Sequence, residues 1–161
     1  MTAPAATNSR FASSFQRAGA FVLDLIALSF PEALLMLAFG PESGVAVLGR
    51  FLLYAAYFTL FEASSWQATP GKRVLGIYVA RRGGSPLTRP QALERFLFFM
   101  AFTFPAQLSM LSMNTAAFLT LWLLLIWLVP ILATRERTGL HDMVCSTRVL
   151  TGTPEEAARG R

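Results

Sequence analysis

The sequence predicts an all-α membrane protein with four transmembrane helices, the third weaker than the others, and a small cytoplasmic β-hairpin or sheet element. Three observations predict it. Apolar residues make up 54% and charged residues only 14% of the 161 positions, where a soluble domain has about 25% charged, and the mean hydropathy is +0.50. Four apolar stretches follow one another at 18–39, 45–62, 96–113 and 116–133, each close to the roughly 20 residues that cross a ~30 Å hydrocarbon core. Of the 14 Lys and Arg residues, all but Arg50 fall in segments that a four-span chain places on one side.

The first stretch, AGAFVLDLIALSFPEALLMLAF, is interrupted by Asp24 and by Pro31-Glu32. It follows a polar segment, 1–16, and runs past the length of a signal-peptide core, so no cleaved signal is expected. GPESG at 40–44 is a turn that returns the chain into the second stretch, which contains Arg50 and ends on Glu62. The third stretch, FLFFMAFTFPAQLSMLSM, is diluted by Pro105, Gln107 and hydroxyl residues, which leaves a re-entrant or interfacial segment open. The fourth, AAFLTLWLLLIWLVPILA, is the cleanest span. Arg10 and Arg17 precede the first span, six cations lie within 72–95 and five follow the fourth span. The positive-inside rule then puts both termini and the loop 64–95 in the cytoplasm.

That loop has its own order. VLGIYVARRGGSPLTRP alternates branched or aromatic residues, breaks at Arg82-Gly83-Gly84 and resumes at Ser85, the pattern of a hairpin with a glycine turn. CSTRVLT at 145–151 is a second β-prone piece, and pairing the two makes a small sheet beside the membrane. Thr88, Pro90 and Glu94 then mark a helix start. The segment 151–161 has no core-forming pattern and is expected to be disordered. A single cysteine, Cys145, rules out an intramolecular disulfide.

Four separated motifs carry a resemblance. QRAGAFVLD at the first span, FEASSWQATPGKRVLGIYV after the second, RPQALERF before the third and RTGLHDMVCSTRVL after the fourth occur in order. Together they resemble the RDD family of bacterial membrane proteins, named for one arginine and two aspartates. The likeness runs from Arg17 to Leu150 and implies a membrane domain over 17–150. On it the name-giving residues map to Arg17, Asp24 and Asp142, and a glutamate and a GK pair map to Glu62, Gly71 and Lys72. Trp66 departs from the family pattern, standing where a small residue is common. The resemblance implies a bacterial plasma (inner) membrane protein with a role in transport.

Charges in or near hydrocarbon cost about 2.5 kcal/mol or more at the centre of a span, so they face a partner or a watery cavity. Asp24 lies about two turns into its span and Glu62 at the matching end of the antiparallel second span, which brings them to similar depth. Arg17, Lys72, Asp142 and the neighbouring His141, the residue whose unperturbed pKa lies near neutrality, share that side. These six form a candidate cluster for an ion or proton, or a structural charge network. Glu32 and Arg50 fall at similar depth near the opposite ends of their spans and are expected to pair. Two functions follow: a small cation- or proton-coupled transporter, or a non-transporting scaffold or accessory subunit whose basic cytoplasmic surface binds a partner or anionic lipid. Four helices are few to enclose a pathway, so transport implies a homo-oligomer. The chain has no GxxxxGK[ST], HExxH, GxSxG or Cys-His metal spacing, so no enzyme chemistry, metal or cofactor is expected. The basic run 72–95 fits topology and anionic lipid better than nucleic acid.

In a chain whose Cys145 has been replaced, a cysteine at Ser43 or Asn114 should react with a membrane-impermeant maleimide from outside the cell. One at Gly83 should be spared, and its labelling would end the four-span topology.

Overall fold

The computed structural model describes residues 11–41, 43–103, 118, 122 and 139–159. Most of the third apolar stretch, 104–113, and all of the fourth except Phe118 and Trp122 lie outside the described residues. Within them the chain is mostly helical, with a small sheet. The first helix, α1, spans Ser14–Phe39. It starts at Ser13, whose hydroxyl accepts from Gln16 N–H at 3.1 Å while the Gln16 side chain accepts from Ser13 N–H at 2.9 Å, a reciprocal capping box. α2 spans Gly44–Glu62 and starts at Ser43, whose hydroxyl accepts from Ala46 N–H at 3.1 Å. At about 1.5 Å per residue the two helices are roughly 39 and 28 Å long. Both are long and apolar enough to cross a membrane. Only 17% and 11% of their apolar windows are buried, unlike the core helix of a soluble protein. Val22, Ile26, Phe30 and Leu37 on α1, and Val45, Leu48 and Leu52 on α2, are exposed, a surface suited to hydrocarbon.

After α2 the chain turns through Ser64 to Thr69 and forms the short helix α3, Pro70–Val74. Thr69 accepts from Lys72 N–H, and Pro70 occupies the first turn, where its missing N–H costs nothing. Trp66 stacks on Phe61 with ring centroids 5.7 Å apart and lies 4.3 Å under the Arg73 guanidinium. It is 38% exposed, so a large ring fits at this position without crowding the core.

The strand β1, Ile77–Arg81, follows, and then α4, Arg89–Thr103. Arg81 to Gly84 make the glycine turn, closed by Arg81 N–H to Ser85 O at 2.9 Å. The expected hairpin does not form: residues 85–88 are not a strand. The antiparallel partner of β1 is β2, Thr147–Thr151, the sheet expected of the second β-prone piece, with Ile77 opposite Thr151, Val79 opposite Val149 and Arg81 opposite Thr147. Pro86 explains the difference, since it has no N–H to donate to a ladder, whereas TRVLT offers an unbroken set. Phe11 adds a bridge to Leu150, and Ala12 N–H bonds Val149 O at 3.0 Å, so residues 11–12 pair with β2 as well.

Ile77 to Ala80 are all buried because the sheet is covered on both faces. Ile77, Val79 and Val149 pack with Ala12, Ala20 of α1, and Leu87 and Ala92 at the start of α4. Tyr78, Ala80 and Leu150 pack with Ala68, Phe11 and Ala157. Ala157 belongs to the last helix, α6, Pro154–Arg159, which follows the five-residue α5, Leu140–Val144. The segment 151–161, expected to be disordered, thus carries the end of β2 and a helix. The reason is local: Thr153 and Glu156 cap each other, with Thr153 N–H to Glu156 Oε2 at 3.0 Å and Glu156 N–H to Thr153 Oγ1 at 3.3 Å.

Gly71 sets how closely α3 approaches α1. A Cβ there would stand 2.3 Å from Ala20 O and 2.8 Å from Asp24 Oδ1, and the backbone of α1 cannot yield. Gly71→Ala should therefore cost on the order of 1–3 kcal/mol or more and lower the thermal unfolding midpoint of the detergent-purified protein. Gly19→Ala, which meets only the flexible end of Leu75 at 3.0 Å, should shift it less.

Candidate functional site: a buried charge cluster

The ends of α1, α2 and α4 meet α3, α5 and β2 around a group of charged side chains withdrawn from solvent. Glu62, 4% exposed, is the last residue of α2, where the helix dipole is already negative, so the carboxylate needs cations beside it. Two supply the charge: the Lys72 ammonium bonds Glu62 Oε1, and Arg95 Nε bonds Glu62 Oε2 at 3.1 Å. Arg95 also reaches Asp142, with Nη1 to Oδ1 at 2.5 Å, and bonds the Thr147 hydroxyl of β2. Asp142, wholly buried in the first turn of α5, accepts from Gly139 N–H at 3.1 Å and from Arg17 Nη1 at 2.5 Å. The result is an alternating chain of charges, Lys72, Glu62, Arg95, Asp142 and Arg17, that joins α3, α2, α4, α5 and α1 in turn. Burial alone would lower the Arg95 pKa, yet the Glu62 and Asp142 carboxylates carry it above the ordinary arginine value. This cation keeps its proton.

Asp24 is held differently. It is fully buried in α1 and accepts from the Thr69 hydroxyl at 2.5 Å, Gly71 N–H at 2.8 Å and the Tyr57 hydroxyl at 2.8 Å. Its partners are therefore neutral donors, two of them at the start of α3. Arg17 is not among them: one turn and three residues earlier on α1, it turns to Asp142. Asp24, Arg17, Glu62, Lys72 and Arg95 nonetheless line one partly open cavity of about 80 Å³, whose other walls include Phe21, Phe58, Phe96 and Phe99. The backbone of His141 lies in α5, but its side chain is outside the described residues.

At the other end of α1 and α2, Arg50 Nη1 lies 3.4 Å from Glu32 Oε1, and the Tyr54 hydroxyl donates to Glu32 Oε2 at 2.8 Å. Among the described residues no group of three or more His, Cys, Asp or Glu side chains is arranged to hold a metal ion. The Cys145 thiol, half-buried after α5, has its pKa raised by burial, which leaves it a weak nucleophile near neutrality.

Arg95, Thr69, Tyr57 and Thr147 complete the site but are absent from the six residues drawn from the sequence. Arg95 reads as one more cation of a basic run. Its helical spacing was the available signal, because Ala92, Arg95 and Phe96 recur at the three- and four-residue intervals of one helix face, and all three are buried. Tyr57 and Thr69 carried no comparable signal, since their contact with Asp24 spans 33 and 45 residues of chain.

Removing Arg95 would take one of two cations from each of two buried carboxylates and leave a cavity between them. Arg95→Ala should destabilise the protein by about 3–5 kcal/mol, and Arg95→Lys should recover only part of this, because one ammonium cannot span both acids. Lys72→Ala, which leaves Glu62 its bond to Arg95, should cost clearly less. Denaturant unfolding of the three variants in detergent checks the order, and equal losses would contradict it.

No curated protein is significantly similar to this sequence. The family model of the RDD family, however, matches residues 11–146. That stretch contains both candidate spans, β1 and all of the charge cluster except Thr147. The chain belongs to the RDD family.

Proposed function

We propose that this chain is a multi-pass protein of the bacterial plasma (inner) membrane, with four spans and both termini in the cytoplasm, and that it works as a non-transporting scaffold or accessory subunit. The charge cluster is then a latch. It fastens the small cytoplasmic sheet to the membrane helices and presents a basic surface to a partner or to anionic lipid. One observation carries the reading: each carboxylate of the cluster is matched to donors fixed within the same molecule, and the alternating chain satisfies its own desolvation without a passing ion. No catalysis, cofactor or nucleic acid enters this reading.

A second reading, a small cation- or proton-coupled transporter working as a homo-oligomer, draws on one feature. The carboxylates of Asp24 and Glu62 both line the cavity, where a proton or cation would meet them.

Asp24→Asn separates the two. The amide keeps the shape, and its oxygen can still accept from Gly71 N–H and the Tyr57 hydroxyl while its NH2 donates to the Thr69 hydroxyl oxygen, but it no longer titrates. Purified protein in liposomes is exposed to imposed pH and Na⁺ gradients. A scaffold gives no flux above empty liposomes, and both chains insert equally well. Flux by the wild-type chain that disappears in a well-inserted Asp24→Asn protein would establish transport in its place.

A further inference from the structure

The outward surface of α1 continues into its first turn. At 3.6 residues per turn Phe15, Val22, Ile26, Phe30 and Leu37 fall within about 80° of one another around the helix, and all five are exposed, Phe15 by 91%. From Phe15 to Leu37 the helix rises about 33 Å, close to the ~30 Å of a hydrocarbon core. With this stripe against lipid, its two end residues lie at the two boundaries of the hydrocarbon.

The height of α3 beside that stripe is fixed by its bonds to α1. Gly71 N–H reaches the Asp24 carboxylate at 2.8 Å. Just past the other end of α3, the Leu75 carbonyl accepts from Gln16 Nε2 at 3.5 Å, and the Leu75 side chain lies against Gly19. The short helix therefore runs along α1 between the levels of Gln16 and Asp24, farther into the bilayer than Phe15. A side chain exposed at that height meets headgroups and the first part of the acyl chains. Two side chains of α3 are exposed there, Arg73 and Val74, the latter by 74%.

Arg73 is held in place without using its hydrogen bonds. Its guanidinium lies 4.3 Å over the Trp66 ring, which stacks in turn on Phe61 of α2. Among the described residues its side chain makes no salt bridge or hydrogen bond, and Glu155 of α6 feels its charge without bonding it. A guanidinium in this state offers parallel N–H donors that match two phosphate oxygens. The half-exposed indole beside it is the ring type that collects at the boundary between headgroups and hydrocarbon.

We propose that Arg73, Trp66, Val74 and Phe15 form a binding site for one anionic phospholipid of the bilayer, its phosphate on the Arg73 guanidinium and its acyl chains along Val74 and the stripe that begins at Phe15. The site gives the anionic-lipid contact of the reading above its residues. It rests on α1 and α2 crossing a bilayer and holds for a scaffold and a transporter alike.

Trp66 is the built-in reporter. Full-length protein carrying Trp122→Phe and Trp127→Phe keeps Trp66 as its single indole. It is reconstituted in vesicles of dioleoyl-phosphatidylcholine with a minor share of dioleoyl-phosphatidylglycerol. Bromine is placed on the acyl chains either of the phosphatidylglycerol or of an equal share of the phosphatidylcholine, since bromine quenches indole fluorescence only at close range. Brominated phosphatidylglycerol should quench Trp66 as strongly as an about fivefold larger share of brominated phosphatidylcholine, the enrichment that one basic residue near the surface produces. Arg73→Gln should erase this preference. Arg89→Gln, which removes an exposed cation at the start of α4, should retain it. Equal quenching by the two lipids, quenching by neither because a second copy or a protein partner covers the ring, or an undiminished preference in the Arg73→Gln protein would each overturn the site. An alkaline carbonate wash of the same vesicles separates the two failures: a chain that is stripped off overturns the spanning helices and the site with them, whereas a chain that stays without the preference overturns the site alone.

Discussion

Arg95 is the constraint on which the rest of the structure depends. It is one guanidinium, withdrawn from solvent on α4, and it bonds Glu62 at the end of α2, Asp142 at the start of α5 and Thr147 at the start of β2. A buried charge is tolerable only when its partners are in place, so each of these elements has a single acceptable position relative to α4. Asp142 passes the constraint on to Arg17 and α1, and Glu62 passes it to Lys72 and α3. Packing alone would fix these elements loosely, because α3 and α5 are five residues long and Val74, Met143 and Val144 on them are exposed.

Two ways of burying a carboxylate lie side by side here. Glu62 and Asp142 are compensated by cations, which makes each depend on long side chains arriving from other helices. Asp24 is compensated by two hydroxyls and a backbone N–H, short and stiff donors that demand close approach. That approach is why position 71 is glycine. The bare Cα lets α3 press its first turn onto the backbone of α1, and the amide of Gly71 becomes a ligand for Asp24. The GK pair thus has two separate jobs, the glycine serving Asp24 and the lysine serving Glu62.

The same logic appears at the far end of the two long helices, at lower intensity. Glu32, Arg50 and Tyr54 tie α1 to α2 with partly exposed groups, where the deep cluster uses almost fully buried ones. Polar contacts at both ends hold the helix pair in register, while the surfaces between them expose valine, leucine, isoleucine and phenylalanine. In hydrocarbon such side chains contribute little to helix pairing, because lipid is as apolar as they are. The ion pairs and the glycine contact are left to specify the arrangement.

Much of this was legible in the chain itself. Composition and two long apolar runs determine that α1 and α2 are span-length helices, and Thr88 with Pro90 marks where α4 starts, because capping and helix periodicity act within a few residues of chain. The depth of Asp24 and Glu62 in their helices was readable for the same reason: rise per residue is a local quantity. What the tertiary structure decided was pairing. The sequence offered β1 two partners, residues 85–88 and the β-prone piece at 145–151, and the fold kept only the second; nothing near Arg17 told it to choose Asp142 over Asp24, seven residues away. Those choices depend on where α3, α4 and α5 stand once packed, since a charged side chain bonds whatever the fold brings within about 3 Å, however distant it is in sequence.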